Sequence, residues 1–179
     1  MPREIREVTE RFRLDRLLKS GAAATVLRAT EISSGRAAVG KLLNPGADPN
    51  AIDRFESYAE TLLRLEHSAI PTLLDWGVAG DGPYLVFEWL EGRNFSGFAG
   101  TSQRRIASHA VHAFSGLEAL FEAGLVHGNV VPENLFVETT REGQRLRLVG
   151  LGTSVFWTPG TVDRSETARF RAPEWPTTG

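Results

Sequence analysis

Residues 125–137 gather the side chains best suited to chemistry: His127, Asn129, Glu133 and Asn134, with Gly128 and Pro132 bending the chain between them. The apolar, β-prone pieces Leu125-Val126 and Leu135-Phe136-Val137 flank this polar insert, so it reads as a loop held by a rigid scaffold, the usual place for a site. A second candidate is Lys41. The chain has one other lysine, Lys19, and otherwise carries its positive charge on arginine, so a compact ammonium in place of a guanidinium fork gives position 41 a reason of its own. A stem packed on a sheet with its head in water explains Lys41 equally well. The histidines His67, His109, His112 and His127 form no His-Glu-x-x-His metal spacing. His109 and His112 lie one helical turn apart without an acidic companion, which reads as a helix-surface pair.

These residues sit in a chain of 179, with 41% hydrophobic and 23% charged residues, an ordinary globular composition with enough apolar material for a core. One domain or two small lobes is expected. The net charge of -2 supplies no basic stripe for a nucleic-acid backbone or an anionic membrane. Cysteine is absent, which excludes disulfides, thiolate catalysis and thiolate metal sites and makes a cytoplasmic location the expectation. The charged start, Met1 to Val8, has no apolar stretch of the kind a signal peptide or membrane span needs.

The elements that must position the candidates follow from periodicity. Phe12 and Leu14 alternate with Arg11, Arg13 and Asp15, a small-residue turn spans 20–24, and 25–30 returns as a second strand. A turn at Ser33-Ser34-Gly35 leads to a third strand over 37–43. Asp48-Pro49 reads as a helix start, and Ile52, Phe55, Ala59, Leu62 and Leu63 recur at helical spacing up to His67. Strands over 71–76 and 84–89 follow, separated by the turn 79–82. Beyond Gly92, Ile106, Ala110, Phe114, Leu117 and Phe121 mark one apolar face of a long helix that stops at Gly124. Short strands over 135–138 and 145–149 then flank the turn 139–143.

The run His127, Gly128, Asn129, Val130, Val131, Pro132, Glu133, Asn134 resembles the catalytic loop H-R-D-L-K-P-E-N of eukaryotic-type Ser/Thr protein kinases. Further landmarks of that family fall in order. Residues 18–26 resemble its glycine-rich loop with only Gly21 and Val26 kept, and Lys41 matches its third-strand lysine. Residues 85–90, including Phe87, Glu88 and Leu90, resemble its hinge. Val149, Gly150, Leu151 and Gly152 fall where the family has D-F-G, and Ala172, Pro173 and Glu174 match A-P-E. The fold implied is α+β: a five-stranded antiparallel N-lobe sheet with one helix over 1–90, then a partial, mainly helical C-lobe over 91–179.

The resemblance also implies a degenerate member, a pseudokinase. Asn129 stands at the catalytic Asp, Val131 at the lysine that meets the transferred phosphate, Gly150 at the metal-binding Asp, and Tyr58 at the helix glutamate that pairs with the third-strand lysine. Phosphoryl transfer needs a carboxylate near the attacking hydroxyl and oxygen anions on magnesium, and a neutral amide and a glycine supply neither. A vestigial nucleotide set remains in Gly21, Val26, Lys41, Glu88, Leu90 and Asn134, while Val39 and Phe136 enlarge the positions that face adenine, so no cofactor and weak or no ATP binding is expected. Leu62, Leu73, His127 and Leu151 match the family's spine of apolar connectors, and glycine at 128 removes an arginine that would receive a phosphate on Thr153, Thr158 or Thr161. The expected role is a protein-binding scaffold or allosteric regulator with no bound metal, its partner covering the helix 106–121 face, with self-association left open. The rival expectation is a nucleotide-binding protein with atypical phosphotransfer through Lys41 and Asn134.

Overall fold

A computed structural model of the chain describes residues 10–44, 50–80, 82–95 and 102–156. These fall into two units: residues up to Arg64 together with Thr72–Trp89 form the first, and Leu65–Pro71 together with residues from Leu90 onward form the second.

The first unit is a five-stranded antiparallel sheet in the order β1-β2-β3-β5-β4 with one helix. Its strands are β1 (Phe12–Ser20), β2 (Ala24–Glu31), β3 (Ala37–Leu43), β4 (Leu73–Ala79) and β5 (Gly82–Glu88), and its helix is α1 (Ala51–Arg64). Alternation sorts the strand residues onto two faces, as expected from a period of two. One face buries Phe12, Leu14, Ala29, Ala38, Tyr84 and Val86 in a small core. Gly40 lies in that face because a Cβ there would come within 2.6 Å of the Leu14 side chain. On the opposite face α1 covers the β4–β5 side, with Phe55 edge-on to Trp76 at a centroid distance of 6.0 Å. The proposed helix start at Asp48-Pro49 lies outside the described residues, and the fourth strand begins at Leu73 rather than at 71 and runs to Ala79.

The second unit holds α2 (Gln103–Glu122) and a three-stranded sheet of β6 (Gly92–Asn94), β7 (Leu135–Thr140) and β8 (Gly143–Leu148). The sequence showed no sign of β6, a three-residue strand with no apolar alternation, which pairs Gly92 with Glu138 and Asn94 with Phe136. The helix α2 is where the sequence expected it, and it packs inward through a different side from the apolar face marked by Ile106, Phe114 and Phe121. His109, Gly116 and Leu120 are buried, whereas Phe114 and Phe121 are 70% and 80% exposed and Ile106 is also exposed. Gly116 allows this approach, since a Cβ would sit 2.9 Å from both Ala69 and Leu148. His109 is therefore a buried histidine and not half of a surface pair. It is 5% exposed with Phe95 edge-on at 6.2 Å, and its burial, then His112 and Arg105, hold its pKa below the usual histidine value. Among the described residues no helix is long and apolar enough to cross a membrane.

The segment Leu65–Pro71 is tied into this unit by three side chains and a backbone bond. His67 shares a hydrogen bond of 2.9 Å with Ser115, its other ring nitrogen accepts from the Ala69 N–H at 3.1 Å, and the Leu148 N–H donates to the Ala69 carbonyl at 2.7 Å. Buried Arg147 donates to Glu138 at 2.8 Å and to the Ile70 carbonyl at 3.1 Å. Arg145 also reaches the Glu138 carboxylate at 3.2 Å, so the loss in Arg147→Met is chiefly that of two hydrogen bonds made by a charged donor, one of them to the Ile70 carbonyl, and should lower unfolding stability by about 2 kcal/mol. Urea unfolding checks this, and a loss no larger than that of the exposed control Arg64→Met would show that Arg147 does not fasten the segment.

Candidate functional site

The loop that carries His127 begins where α2 stops. Gly124 takes φ +73, its N–H bonds to the Phe121 carbonyl at 2.9 Å, and the Leu125 N–H reaches the Leu120 carbonyl at 2.8 Å, which closes the helix end in a Schellman motif. His127 is buried. Its Nε2 lies 3.1 Å from the Val149 carbonyl, and its Nδ1 accepts from the Asn129 N–H at 3.3 Å. A ring nitrogen that accepts an N–H carries no proton, so Nε2 holds the hydrogen and donates to Val149. Both nitrogens of His127 are thus engaged in fixing the backbone of its own loop to the end of β8.

Asn134 completes that attachment. It ends the one-turn 3-10 helix Pro132–Asn134, its N–H donates to the Val131 carbonyl at 2.9 Å, and its carbonyl accepts from the Val149 N–H at 2.9 Å. Its side-chain Nδ2 donates to the Asn129 carbonyl at 2.8 Å. The same amide lies directly against Gly150, where an added Cβ would come within 2.5 to 2.7 Å of three of its side-chain atoms. Gly150 also takes φ +91, a conformation that side chains disfavour. Asn129, Asn134 and Gly150 therefore meet in one place, and the amide occupies the volume that any side chain at 150 would need.

Gly128 is packed in a similar way. It has φ +70, and a Cβ would collide with the Ser154 side chain, whose hydroxyl donates to the Val126 carbonyl at 2.9 Å. Val131 is buried, and Thr153 is buried with its hydroxyl 3.4 Å from the Gly150 carbonyl. The Phe136 ring rests on Gly92, whose missing Cβ leaves room for it and for the Val137 carbonyl.

In the first unit, the Gly21 N–H bonds back to the Ala24 carbonyl at 3.0 Å, so that amide closes its own hairpin turn. Val26 pairs with Lys19 on one side and Lys41 on the other. Lys41 is 6% exposed, and burial first, then the Lys19 charge, lower its pKa from 10.5 to about 7. Tyr58 is buried in α1, and Glu56 and Glu60 are exposed. Glu88 is committed to structure, accepting from the Thr72 N–H at 2.8 Å, and Leu90, which opens the last stretch of the second unit, is half-buried. Arg28 lies over the Trp89 ring at 5.6 Å from its centroid, facing the side of the sheet that holds Val39. Leu62 and Leu73 are buried here, as are His127 and Leu151 in the second unit. Residues 157–179, with Thr158, Thr161, Ala172, Pro173 and Glu174, lie outside the described residues.

This order of elements, with a lysine on β3 and a histidine loop ahead of paired strands, is matched by known proteins. Residues 12–178 match the family described as the protein kinase domain. The chain belongs to that family. It is 30% identical over 147 residues to the serine/threonine-protein kinase pkn2 of Myxococcus xanthus, covering 79% of this chain and 18% of that protein. To the serine/threonine-protein kinase PknA of Mycobacterium tuberculosis it is 31% identical over 178 residues, covering 92% of this chain and 41% of that one. The chain thus spans less than half the length of either relative. The crystal structure of the Mycobacterium tuberculosis PknI kinase domain aligns with a TM-score of 0.68 at 20% identity, over 80% of this chain and 60% of that domain. The protein kinase-like fold follows, with its five-stranded N-lobe sheet, its helix and part of the C-lobe.

Within this kinase domain the histidine loop, the β3 lysine and the position of Gly150 were all legible in the sequence. The closeness of Asn134 to Gly150, the Ser154 contact with Gly128 and the Arg28–Trp89 stack were not. Only the glycines at 128 and 150 hinted at close approaches, and glycine alone does not name the group that approaches.

Two outcomes follow. Gly150→Asp should cost about 2 kcal/mol or more, because the new side chain meets the Asn134 amide in a disfavoured backbone conformation; urea unfolding with and without magnesium checks it, and a magnesium-dependent gain in stability would contradict the packing described. For Lys41, the unfolded chain keeps its proton to about 10.5 whereas the folded chain releases it near 7, so between those values the unfolded state binds more protons. The stability of the wild type relative to Lys41→Met should accordingly be lowest below neutral pH and rise by about 1.4 kcal/mol per unit above it, until the unfolded chain also loses the proton near 10.5. A pH-independent difference in urea midpoints would overturn that assignment.

Proposed function

We propose that this protein kinase domain transfers no phosphate and acts by binding another protein, as a scaffold or allosteric regulator. The observation that carries the reading is the Asn134 amide, bonded to the Asn129 carbonyl and lying against Gly150. By resemblance to the family, Asn134 and Gly150 stand at the two magnesium-ligand positions and Asn129 at the position of the base. The bond to Asn129 uses the amide nitrogen, which leaves one neutral amide oxygen at 134 and no side-chain oxygen at 150, a poor ligand set for a hard cation that requires octahedral oxygen coordination. An amide at 129 has no proton affinity near neutral pH, so it takes no proton from an attacking hydroxyl.

The partner surface in this reading is the outer face of α2, where Ile106, Val111, Phe114 and Phe121 are exposed. Aromatic and aliphatic side chains grouped on one helix face suit a protein partner. The proposed setting is the cytoplasm, in keeping with the absence of cysteine.

A second reading, an atypical phosphotransferase built on Lys41, is favoured by the buried position of that lysine and by the names of the relatives, which are serine/threonine-protein kinases. Radiolabelled ATP with a generic acceptor protein, in magnesium and in manganese, separates the two. The proposal expects turnover no greater than in a no-enzyme control and unchanged by Lys41→Ala. Metal-dependent turnover abolished by Lys41→Ala would sink it.

A further inference from the structure

The charges of α2 run against the dipole of the helix itself. Backbone amides leave partial positive charge at a helix start and partial negative charge at its end, so acids favour the first turn and bases the last. Arg104 and Arg105 stand in the first turn of α2, which holds no acid, while Glu118 and Glu122 stand near its end, where the last turn holds no base. Each end of α2 is therefore opposed electrostatically within its own chain. A second helix of the same kind, laid antiparallel, answers both ends at once.

The apolar residues between those charges are spaced as a helix seam. Ala107, Ala110, Phe114, Leu117 and Phe121 follow one another at alternating intervals of three and four, which at about 100° per residue confines them to an arc of about 80°. The buried residues His109, Gly116 and Leu120 lie to another side, so the seam stays open while α2 is packed in its own unit. Phe114 and Phe121 are 70% and 80% exposed, Ala107 is exposed, and Ala110 and Leu117 are partly buried. Arg104, Val111 and Glu118, all exposed, recur every seven residues along one flank of the seam.

Set antiparallel about a two-fold axis beside Val111, two such helices complement each other. Val111 meets its own copy, Phe114 of one chain lies over Ala110 of the other, Leu117 lies over Ala107, and Arg104 faces Glu118. Every seam layer then sets a large side chain against a small one, and the charged flank closes in two Arg104–Glu118 pairs. A parallel pair would stack Phe114 on Phe114 and leave the like-charged ends side by side. Phenylalanine rings of about 150–250 Å² each, exposed to this degree and flanked by Val111 and Ile106, bury roughly 1,000 Å² in the pair, the lower limit of a specific interface. The net charge of -2 opposes association only weakly.

We propose that this chain pairs with a second copy of itself through antiparallel α2 helices about a two-fold axis beside Val111. The inference rests on the reading of the outer face of α2 as a protein-binding surface, and it names the protein that covers that face.

Sedimentation equilibrium of the whole chain from about 1 μM to about 500 μM should show monomer and dimer in exchange, with a Kd on the order of 10 μM. Arg104→Glu and Glu118→Arg should each weaken pairing about tenfold or more, because like charges then face each other twice. Both substitutions suit the helix dipole better than the native residues do, so neither should impair folding. An equimolar mixture of the two variants should recover pairing to within about threefold of the wild type, since each offers the charge that the other lacks. Arg64→Glu on α1 should leave pairing unchanged. A chain that stays monomeric throughout this range would overturn the proposal, as would equal losses in Arg104→Glu and Arg64→Glu, or a mixture that pairs no better than its components. Those outcomes leave the scaffold reading standing with another protein on α2, whereas metal-dependent phosphotransfer in the assay above sinks that reading whatever the oligomeric state.

Discussion

One amide holds the histidine loop together. The side chain of Asn134 donates to the Asn129 carbonyl while its backbone carbonyl takes the Val149 N–H, so a single residue joins the middle of the loop to the end of β8. His127 makes the same connection from the other side through Val149 and the Asn129 N–H. Buried backbone groups need partners, and here two side chains of the loop supply them. That is why Gly150 has no side chain: the amide that satisfies the loop rests where a Cβ would be. A substitution at 150 and a substitution at 134 are therefore not independent, since each group fills space defined by the other.

The same economy of space recurs through the second unit. Gly116 lets α2 approach Ala69 and Leu148, Gly92 makes room for Phe136 and the Val137 carbonyl, and Gly128 receives Ser154. Each glycine marks a contact in which a neighbour has moved into the volume of a missing Cβ, and close-packed interiors leave few alternatives. In the first unit the governing constraint is register. The pairing that buries Phe12, Leu14, Ala29, Ala38, Tyr84 and Val86 on one face obliges Arg16, Lys19, Arg28 and Lys41 to share the other, and Lys41 is buried and lowered in pKa as a result.

Much of the fold could be read from the chain because its signals are local. Alternation at Phe12 and Leu14, the turns at 20–24 and 33–35, and the helical spacing of Phe55, Ala59 and Leu62 each specify an element without reference to the rest. The failures arose where tertiary contact overrides pattern. The apolar spacing of Ile106, Phe114 and Phe121 marked one face of α2 but not the side on which the helix packs: His109 and Gly116 turn inward, because a small residue and not a large one lets the helix reach Leu65–Pro71. The strand Gly92–Asn94 has no pattern of its own and exists through pairing with β7. At the site, Asn129 and Gly150 could be picked out as departures from the kinase pattern. The contact between Asn134 and Gly150 spans sixteen positions of sequence and belongs only to the folded chain.

The account turns on whether the Asn134 amide, whose nitrogen is a structural donor, also presents its oxygen to a metal. Side-chain amide NMR with manganese titration addresses this directly, since a bound paramagnetic ion broadens protons near it. The Asn134 NH2 signals should exchange slowly with solvent and keep their linewidth as manganese is added. Selective broadening of the Asn134 signals at low manganese would show that the amide faces a metal site, and would contradict the account.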